Sequence, residues 1–309
     1  MDFLLLKYAI KEFIDDRRFK QLSSKTILSY RNLLEEFYVY CVEQREIVAT
    51  SDVTPTIIKS FLLACQERGN SPNTVNTKLR AIKTLFNYLV EIEIMPHTNN
   101  PVRKVNYVKT DDKVTTFSDD QVKMILQYFR RMKGKTNSLF SVRDATIFIT
   151  LISTGMRCGE LCNLKWSDVD LINSHIIIFG KLRVQQGLPI VPKLKTELLE
   201  WRIYCEREFG RIPEYVFINR RGSKVTENAI ACVFKRLREK FNFKDVRCCC
   251  HDCRRYYASS LIRNGADAFT VQQLMRHSDL AMTKKYVSIF GNELEKRNAE
   301  YNPLSHLDI

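Results

Sequence analysis

What this 309-residue sequence has least of is a long apolar run. The longest, ATIFITLI at 145–152, spans eight residues, against the roughly 20 that a bilayer-spanning helix requires. The opening MDFLLLKYAI carries neither the basic lead nor the cleavage site of a secretory peptide. The expectation is a cytoplasmic protein with no membrane association. Low-complexity tracts and internal repeats are absent as well, and 45% hydrophobic with 27% charged residues is the composition of a folded globular chain. The ten cysteines have no regular spacing and fall within helical patterns, which excludes the disulfide framework of a small secreted domain and suits reduced, buried thiols.

Negative charge is also in short supply. There are 35 Asp and Glu against 49 Lys and Arg, for a formal net charge of +14. The excess is uneven: residues 1–112 carry 16 basic and 14 acidic side chains, whereas 113–309 carry 33 and 21. A surface of this sign is either simply solvated or matched by a polyanion, and the C-terminal part generates most of the field.

Apolar residues recur at helical spacing in four early segments: Leu5, Ala9, Phe13; then Ile27, Tyr30, Leu34, Phe37, Cys41; then Ile58, Phe61, Cys65; and finally Val75, Leu79, Ile82, Phe86, Leu89. Ser23 or Ser24 can cap the second segment, Thr54-Pro55 opens the third and Gly69 can close it. The pattern predicts a four-helix bundle over 1–96. The last helix has a polar face of Asn76, Arg80, Lys83 and Asn87, which is either its solvent side or a surface for a nucleic-acid backbone, with Arg80 and Lys83 as the contacts. Periodicity then lapses through HTNNPVRKVNYVKTDDK, so 97–112 reads as a linker and 113–309 as a second domain.

In that second domain Ser118 and Gln121 form a capping box, and Arg143 to Ser153 reads as a helix buried on every side. HIIIFGKLRVQQGLPIV breaks the helical rule. Its β-branched runs flank a turn containing glycine, which predicts a hairpin with Lys181 near the end of its first strand. Further helices are expected at about 193–209, 226–241, 251–264, 268–276 and 281–290. The fold class is therefore mainly α with a small antiparallel sheet.

STGMRCGELCNLKWSDVD at 153–170, Lys181, HDCRRYYASSLIRNGAD at 251–267 and LMRHSDLAMTKKYV at 274–287, placed after the helical segment, resemble a tyrosine recombinase of the phage integrase and Xer-like branch. Lys181 follows Arg157 by 24 residues, His277 follows Arg254 by 23, and Tyr286 follows His277 by nine. The resemblance covers nearly the whole chain. It implies an N-terminal SAM-like core-binding domain joined to an α-rich catalytic domain, and site-specific cleavage and rejoining of DNA through a 3′-phosphotyrosine and a Holliday junction. Integration, excision and resolution are all compatible with it. It further implies a homotetramer on paired double-stranded core sites, a C-terminal tail making protomer contacts, and no cofactor, metal or ATP.

Residue by residue, the resemblance makes Tyr286 the nucleophile. Arg157 and Arg254 become the clamp on the non-bridging phosphate oxygens, a task suited to a planar guanidinium that stays charged. Lys181 becomes the general acid for the leaving 5′ oxygen, while His251 and His277 hydrogen-bond the phosphate, with His251 also able to accept the tyrosine proton. Glu160, one turn after Arg157, would hold that guanidinium in place. Arg183 competes with Lys181 for DNA contacts. The chain departs from the family pattern at GKLRVQQG around Lys181, at Cys253 in an apolar position, and at Arg276, where glycine usually precedes the histidine.

The run Cys248, Cys249, Cys250, His251, Cys253 is crowded for a tetrahedral zinc site, whose ligand pairs are normally two to four residues apart. The expectation is no metal there. Cys253 is expected to replace a core leucine, and a zinc site would have to recruit Cys162 or Cys232 from elsewhere. Two other readings of the whole chain are a type IB topoisomerase-like relaxing enzyme and a non-catalytic DNA-binding protein on the same scaffold.

Overall fold

In a computed structural model, which describes residues 4–110, 115–179 and 185–276, the chain divides into two compact units, 1–112 and 113–309.

The first unit is built from α1 (Leu6–Phe19), α2 (Ser24–Arg45), α3 (Pro55–Glu67) and α4 (Pro72–Glu91). Helix starts follow local chemistry. The hydroxyls of Ser23, Thr54 and Ser71 accept from the N–H groups of Thr26, Ile57 and Thr74, and Pro55 and Pro72 occupy first-turn positions where no N–H is needed. Beyond α3, Gly69 takes φ +83 while the Asn70 N–H returns to the Cys65 carbonyl. Phe13, Phe37, Phe61 and Phe86 are fully buried at the centre, with edge-on contact between Phe37 and Phe61 at 5.2 Å. Leu5, expected in this core, is 41% exposed. It precedes the helix and pairs in a short bridge with Ala49, so Leu6 takes the buried position instead.

The stretch after α4 is folded onto the bundle. Asn76 exchanges two 2.8 Å hydrogen bonds with the Val108 backbone, Asn100 donates to the Asn87 side chain at 2.9 Å, and Val102 and Val105 are buried in the bundle core. Two members of the polar α4 face therefore anchor the chain's own backbone, while Arg80 stays exposed and Lys83 lies 4.9 Å over the Tyr107 ring.

The second unit begins its helices with α5 (Asp119–Thr136), opened by the reciprocal Ser118–Gln121 box, and α6 (Leu139–Thr154), buried along most of its length. The short α7 (Cys158–Asn163) leads into a sheet of β1 (Val169–Asp170), β2 (His175–Phe179) and β3 (Gln185–Pro189), antiparallel in that order. Val169 pairs with Ile176 and Ile176 with Leu188, so the expected hairpin gains a third, two-residue strand. Ile176, Ile178 and Leu188 face inward, the period-two alternation of a half-buried sheet. Then follow α8 (Pro192–Phe209), α9 (Glu227–Phe241), α10 (Cys250–Arg263) and α11 (Ala268–Met275). Trp201 is fully buried and donates its indole N–H to the Val216 carbonyl at 2.6 Å. The helix expected at 281–290 lies outside the described residues.

One ionic contact makes the bundle testable. Glu36 Oε1 accepts from Lys78 Nζ at 2.7 Å and from Arg68 at 2.9 Å, and the Lys78 side chain is only 6% exposed. Removing the anion strands a buried ammonium, which costs about 3 kcal/mol or more, whereas an apolar side chain of similar length removes the charge together with its desolvation cost. Glu36→Ala is therefore expected to lower the calorimetric melting temperature of the full chain well below that of Lys78→Met. Equal melting temperatures would contradict this assignment.

Candidate active site

Two helix starts deliver the predicted cations. Arg157 is the N-cap of α7, and Glu160 at its third position folds back: Oε2 accepts the Arg157 backbone N–H at 2.9 Å while Oε1 accepts Nη1 at 2.7 Å. Helix α10 opens the same way. Asp252, fully buried, accepts the Cys249 N–H at 3.0 Å and the Arg255 guanidinium at 3.3 Å. This fixes the first turn, from which His251 projects to the surface, and Arg254 at the start of the second turn projects inward.

Arg254 is 4% exposed and reaches across the unit. Its Nη1 donates to the Gly155 carbonyl, at the end of α6, and its Nη2 to the Met275 carbonyl, at the end of α11, at 2.5 Å. Gly155 has φ +58, and a Cβ there would collide with the Tyr257 ring, so only glycine suits this turn into Arg157. Arg157, His251 and Arg254 line one cavity of about 510 Å³, joined by Lys235 and Arg238 from α9 and, as its one carboxylate among the described residues, by Glu227. A larger hollow of about 840 Å³ between α5, α6 and α9 contains none of the predicted site residues that are among the described residues.

Burial pushes the Glu160 carboxyl up, but the Arg157 N–H, the Arg276 guanidinium and the Arg157 side chain together hold it below the usual carboxylate range. It is an anion dedicated to its two arginines. His251 is shifted down by partial desolvation against the pocket wall and by the guanidiniums of Arg255, Arg254 and Arg157, with Asp252 pulling the other way. The ring is neutral at physiological pH and can accept a proton or a hydrogen bond.

Lys181, Arg183, His277 and Tyr286 lie outside the described residues. Arg80 and Lys83 belong to the first unit, on α4. Four participants escaped the sequence reading: Asp252, Arg255, and the α9 pair Lys235 and Arg238. Asp252 had a signal, since a carboxylate three residues past a helix cap marks a reciprocal box.

The cysteine run divides by depth. Cys253 is fully buried in the main core of this unit, and burial raises its thiol well above the usual value. Burial also pushes Cys248 to about 12. Cys158 hydrogen-bonds both Cys162 and Cys250, and this bonding, with desolvation, pushes the latter two thiols up as well. Among the described residues, no three His, Cys, Asp or Glu side chains are arranged to hold a metal ion.

Residues 115–293 match the Phage integrase family, and residues 10–95 match the Phage integrase, N-terminal SAM-like domain. The chain belongs to the phage integrase family. It is a tyrosine recombinase, an enzyme of DNA strand cleavage and rejoining. Relatives include tyrosine recombinase XerC of Bacillus pumilus, 27% identical over 290 residues and covering 92% of each chain. XerD of Oceanobacillus iheyensis is 26% identical over 306 residues, 97% of this chain and 99% of the relative. Similar solved folds are XerH bound to its difH substrate after cleavage (TM-score 0.76, 19% identity, 94% of this chain and 83% of the other) and the Tn1549 transposon integrase with transposon right-end DNA (TM-score 0.75, 18% identity, 97% and 99%). Among the described residues no helix of this recombinase is long and apolar enough to cross a membrane.

Thiol chemistry tests the packing around this site, because the thiolate is the reactive form. At pH 7.5 iodoacetamide is expected to label the exposed Cys232 while Cys248 and Cys253 stay unmodified until the protein is denatured. Peptide mass spectrometry reads this directly. Native labelling of Cys253 at the rate of Cys232 would mean that the start of α10 is open.

Proposed function

We propose that this recombinase exchanges strands at specific DNA sites by two successive transesterifications, with Tyr286 as nucleophile. The observation that carries the proposal is the convergence of Arg157, His251 and Arg254 on one cavity from two separate helix starts. A scissile phosphate seated there meets guanidinium donors suited to its non-bridging oxygens. Met275, whose carbonyl Arg254 holds, is two residues before His277 and 11 before Tyr286 in the sequence.

In the first step the Tyr286 oxygen bonds to phosphorus, the bond to the 5′ oxygen breaks, and the phenolic proton passes to a base, for which neutral His251 is suited. Lys181 protonates the departing 5′ oxygen. The cations offset the charge that develops on the phosphorane. A freed 5′ hydroxyl of the partner strand then attacks the phosphotyrosine, the bond between phosphorus and the Tyr286 oxygen breaks as the phenol regains its proton from His251, and the phosphodiester is restored, so bond energy is conserved and no cofactor is consumed. His277 completes the hydrogen bonding to the phosphate, Glu160 holds Arg157, and Arg80, Lys83 and Arg183 contact the DNA. The working assembly is a homotetramer on two double-stranded core sites in the cytoplasm, its protomers linked through the C-terminal tail, passing through a Holliday junction. Both matched domains are integrase domains, which favours this reading over a relaxing enzyme or an inactive DNA-binding scaffold.

Tyr286→Phe is expected to bind duplex DNA like the wild type and to form no covalent adduct on a nicked suicide substrate. An adduct in that variant, seen by denaturing electrophoresis, would remove Tyr286 from the nucleophile position.

The pH dependence has a defined sign. A base whose pKa is depressed keeps its lone pair below the ordinary imidazole value of about 6.5, so single-turnover cleavage should persist through that pH and fall only further into acid. His251→Gln should lose this acid limb along with most of its rate. An acid limb centred above the ordinary value, or one unchanged in His251→Gln, would rule His251 out as the base.

A further inference from the structure

Arg276 ends α11 in the left-handed region, φ 53 and ψ 49, the conformation that glycine adopts without a Cβ penalty. A long charged side chain is retained there nonetheless, and it is buried, its atoms 5% exposed. Its Nη2 donates to Glu160 Oε2 at 3.1 Å and its Nη1 to the Leu274 carbonyl at 3.1 Å. The same Glu160 oxygen accepts the Arg157 backbone N–H, and the other oxygen accepts the Arg157 guanidinium. One carboxylate thus ties the start of α7 to the end of α11 across 116 residues of sequence.

The neighbouring peptide is equally constrained. Arg254 grips the carbonyl of Met275, one residue before Arg276, and His277 comes one residue after it. The turn leaving α11 is therefore held from two sides, by Arg254 through the backbone and by Glu160 through the Arg276 side chain. Sharing Glu160 between two guanidiniums also leaves a net positive charge on the trio, so Arg157 is oriented without being neutralised.

We propose that Arg276 is a positioning residue of the cleavage site, tethering the end of α11 to Glu160 so that Arg157, Arg254 and the end of α11 share one fixed frame. The proposal rests on the reading of Arg157 and Arg254 as the phosphate clamp. Arg276 acts through Glu160 and the backbone rather than on the phosphate. A purely structural ion pair would instead show itself in stability alone.

The test compares full-length wild type, Arg276→Gly, Arg276→Lys and Arg276→Gln for melting temperature, affinity for a duplex site and single-turnover cleavage of a suicide substrate. Arg276→Gly, which relieves the left-handed backbone while giving up the buried ion pair, is expected to fold and to bind DNA unchanged. It should cleave about ten- to a hundredfold more slowly, the usual scale for losing an outer-shell partner. Arg276→Lys, able to reach Glu160 with one ammonium, should recover part of the rate, and Arg276→Gln should recover less. In a Glu160→Gln background Arg276→Gly should add little, because both changes cut the same tether. Wild-type cleavage by Arg276→Gly, or by Arg276→Gln should the glycine variant fail to fold, overturns the proposal. So does a rate loss that is fully additive with Glu160→Gln. If the wild type itself forms no adduct, the fault lies with the clamp reading and not with Arg276.

Discussion

A guanidinium with 4% exposure is costly to bury, and the way Arg254 meets that cost organises the second unit. The last carbonyls of a helix have no intrahelical donor and carry the negative end of the helix dipole. Arg254 supplies donors to two such ends at once, Gly155 after α6 and Met275 at the close of α11, from a position in the second turn of α10. Three helices thereby converge on one cation. The turn at Gly155 can approach so closely only because it has no Cβ, and that turn leads directly to Arg157. Placement of the second arginine is thus a consequence of how the first is satisfied.

Carboxylates play the complementary part. Glu160 and Asp252 sit at the third position of α7 and α10 and return to the N–H that begins each helix. Each also holds a guanidinium, Arg157 in one case and Arg255 in the other. The device aligns a helix start and an arginine with a single side chain, which is economical where a mobile cation would be of little use. Exposed pairs such as Lys123–Asp120, at 70% and 87% exposure, contribute almost nothing by comparison, since both partners are fully solvated. What matters around the cavity is that Glu160 and Asp252 are already committed to their partners, leaving the balance of the field positive.

Much of this was legible in one dimension because it depends on near neighbours. The bundle helices, the caps at Ser23, Thr54 and Ser118, and the buried α6 all express periods or pairings within four residues. The Glu160–Arg157 contact is of the same kind. Leu5 was misassigned because leucine fills positions 4 to 6 and periodicity cannot choose among them; pairing with Ala49 does. Asn76 and Asn87 looked like solvent or DNA-facing residues because their partners, Val108 and Asn100, lie 32 and 13 residues away. Arg276 was visible only as a departure from a glycine pattern. Its meaning came from Glu160, far upstream, and no local rule could have supplied it.

The cysteines show how a conspicuous sequence feature can be chemically quiet. Six thiols crowd around α7 and α10, yet adjacent side chains on a helix start point apart, and the structure sends them to different surroundings. Cys253 packs as a small hydrophobe in the core, while Cys158 shares hydrogen bonds with Cys162 and Cys250 at the junction of the two helices. Neutral thiols are the appropriate filling for such a junction. A thiolate would place a negative charge beside Arg157 and Arg254, whereas a larger apolar side chain would separate two helix starts that both reach one cavity. Burial and S–H hydrogen bonding raise the thiols of Cys162, Cys248, Cys250 and Cys253 above the usual value, so these four sulfurs add no negative charge to the cationic cavity.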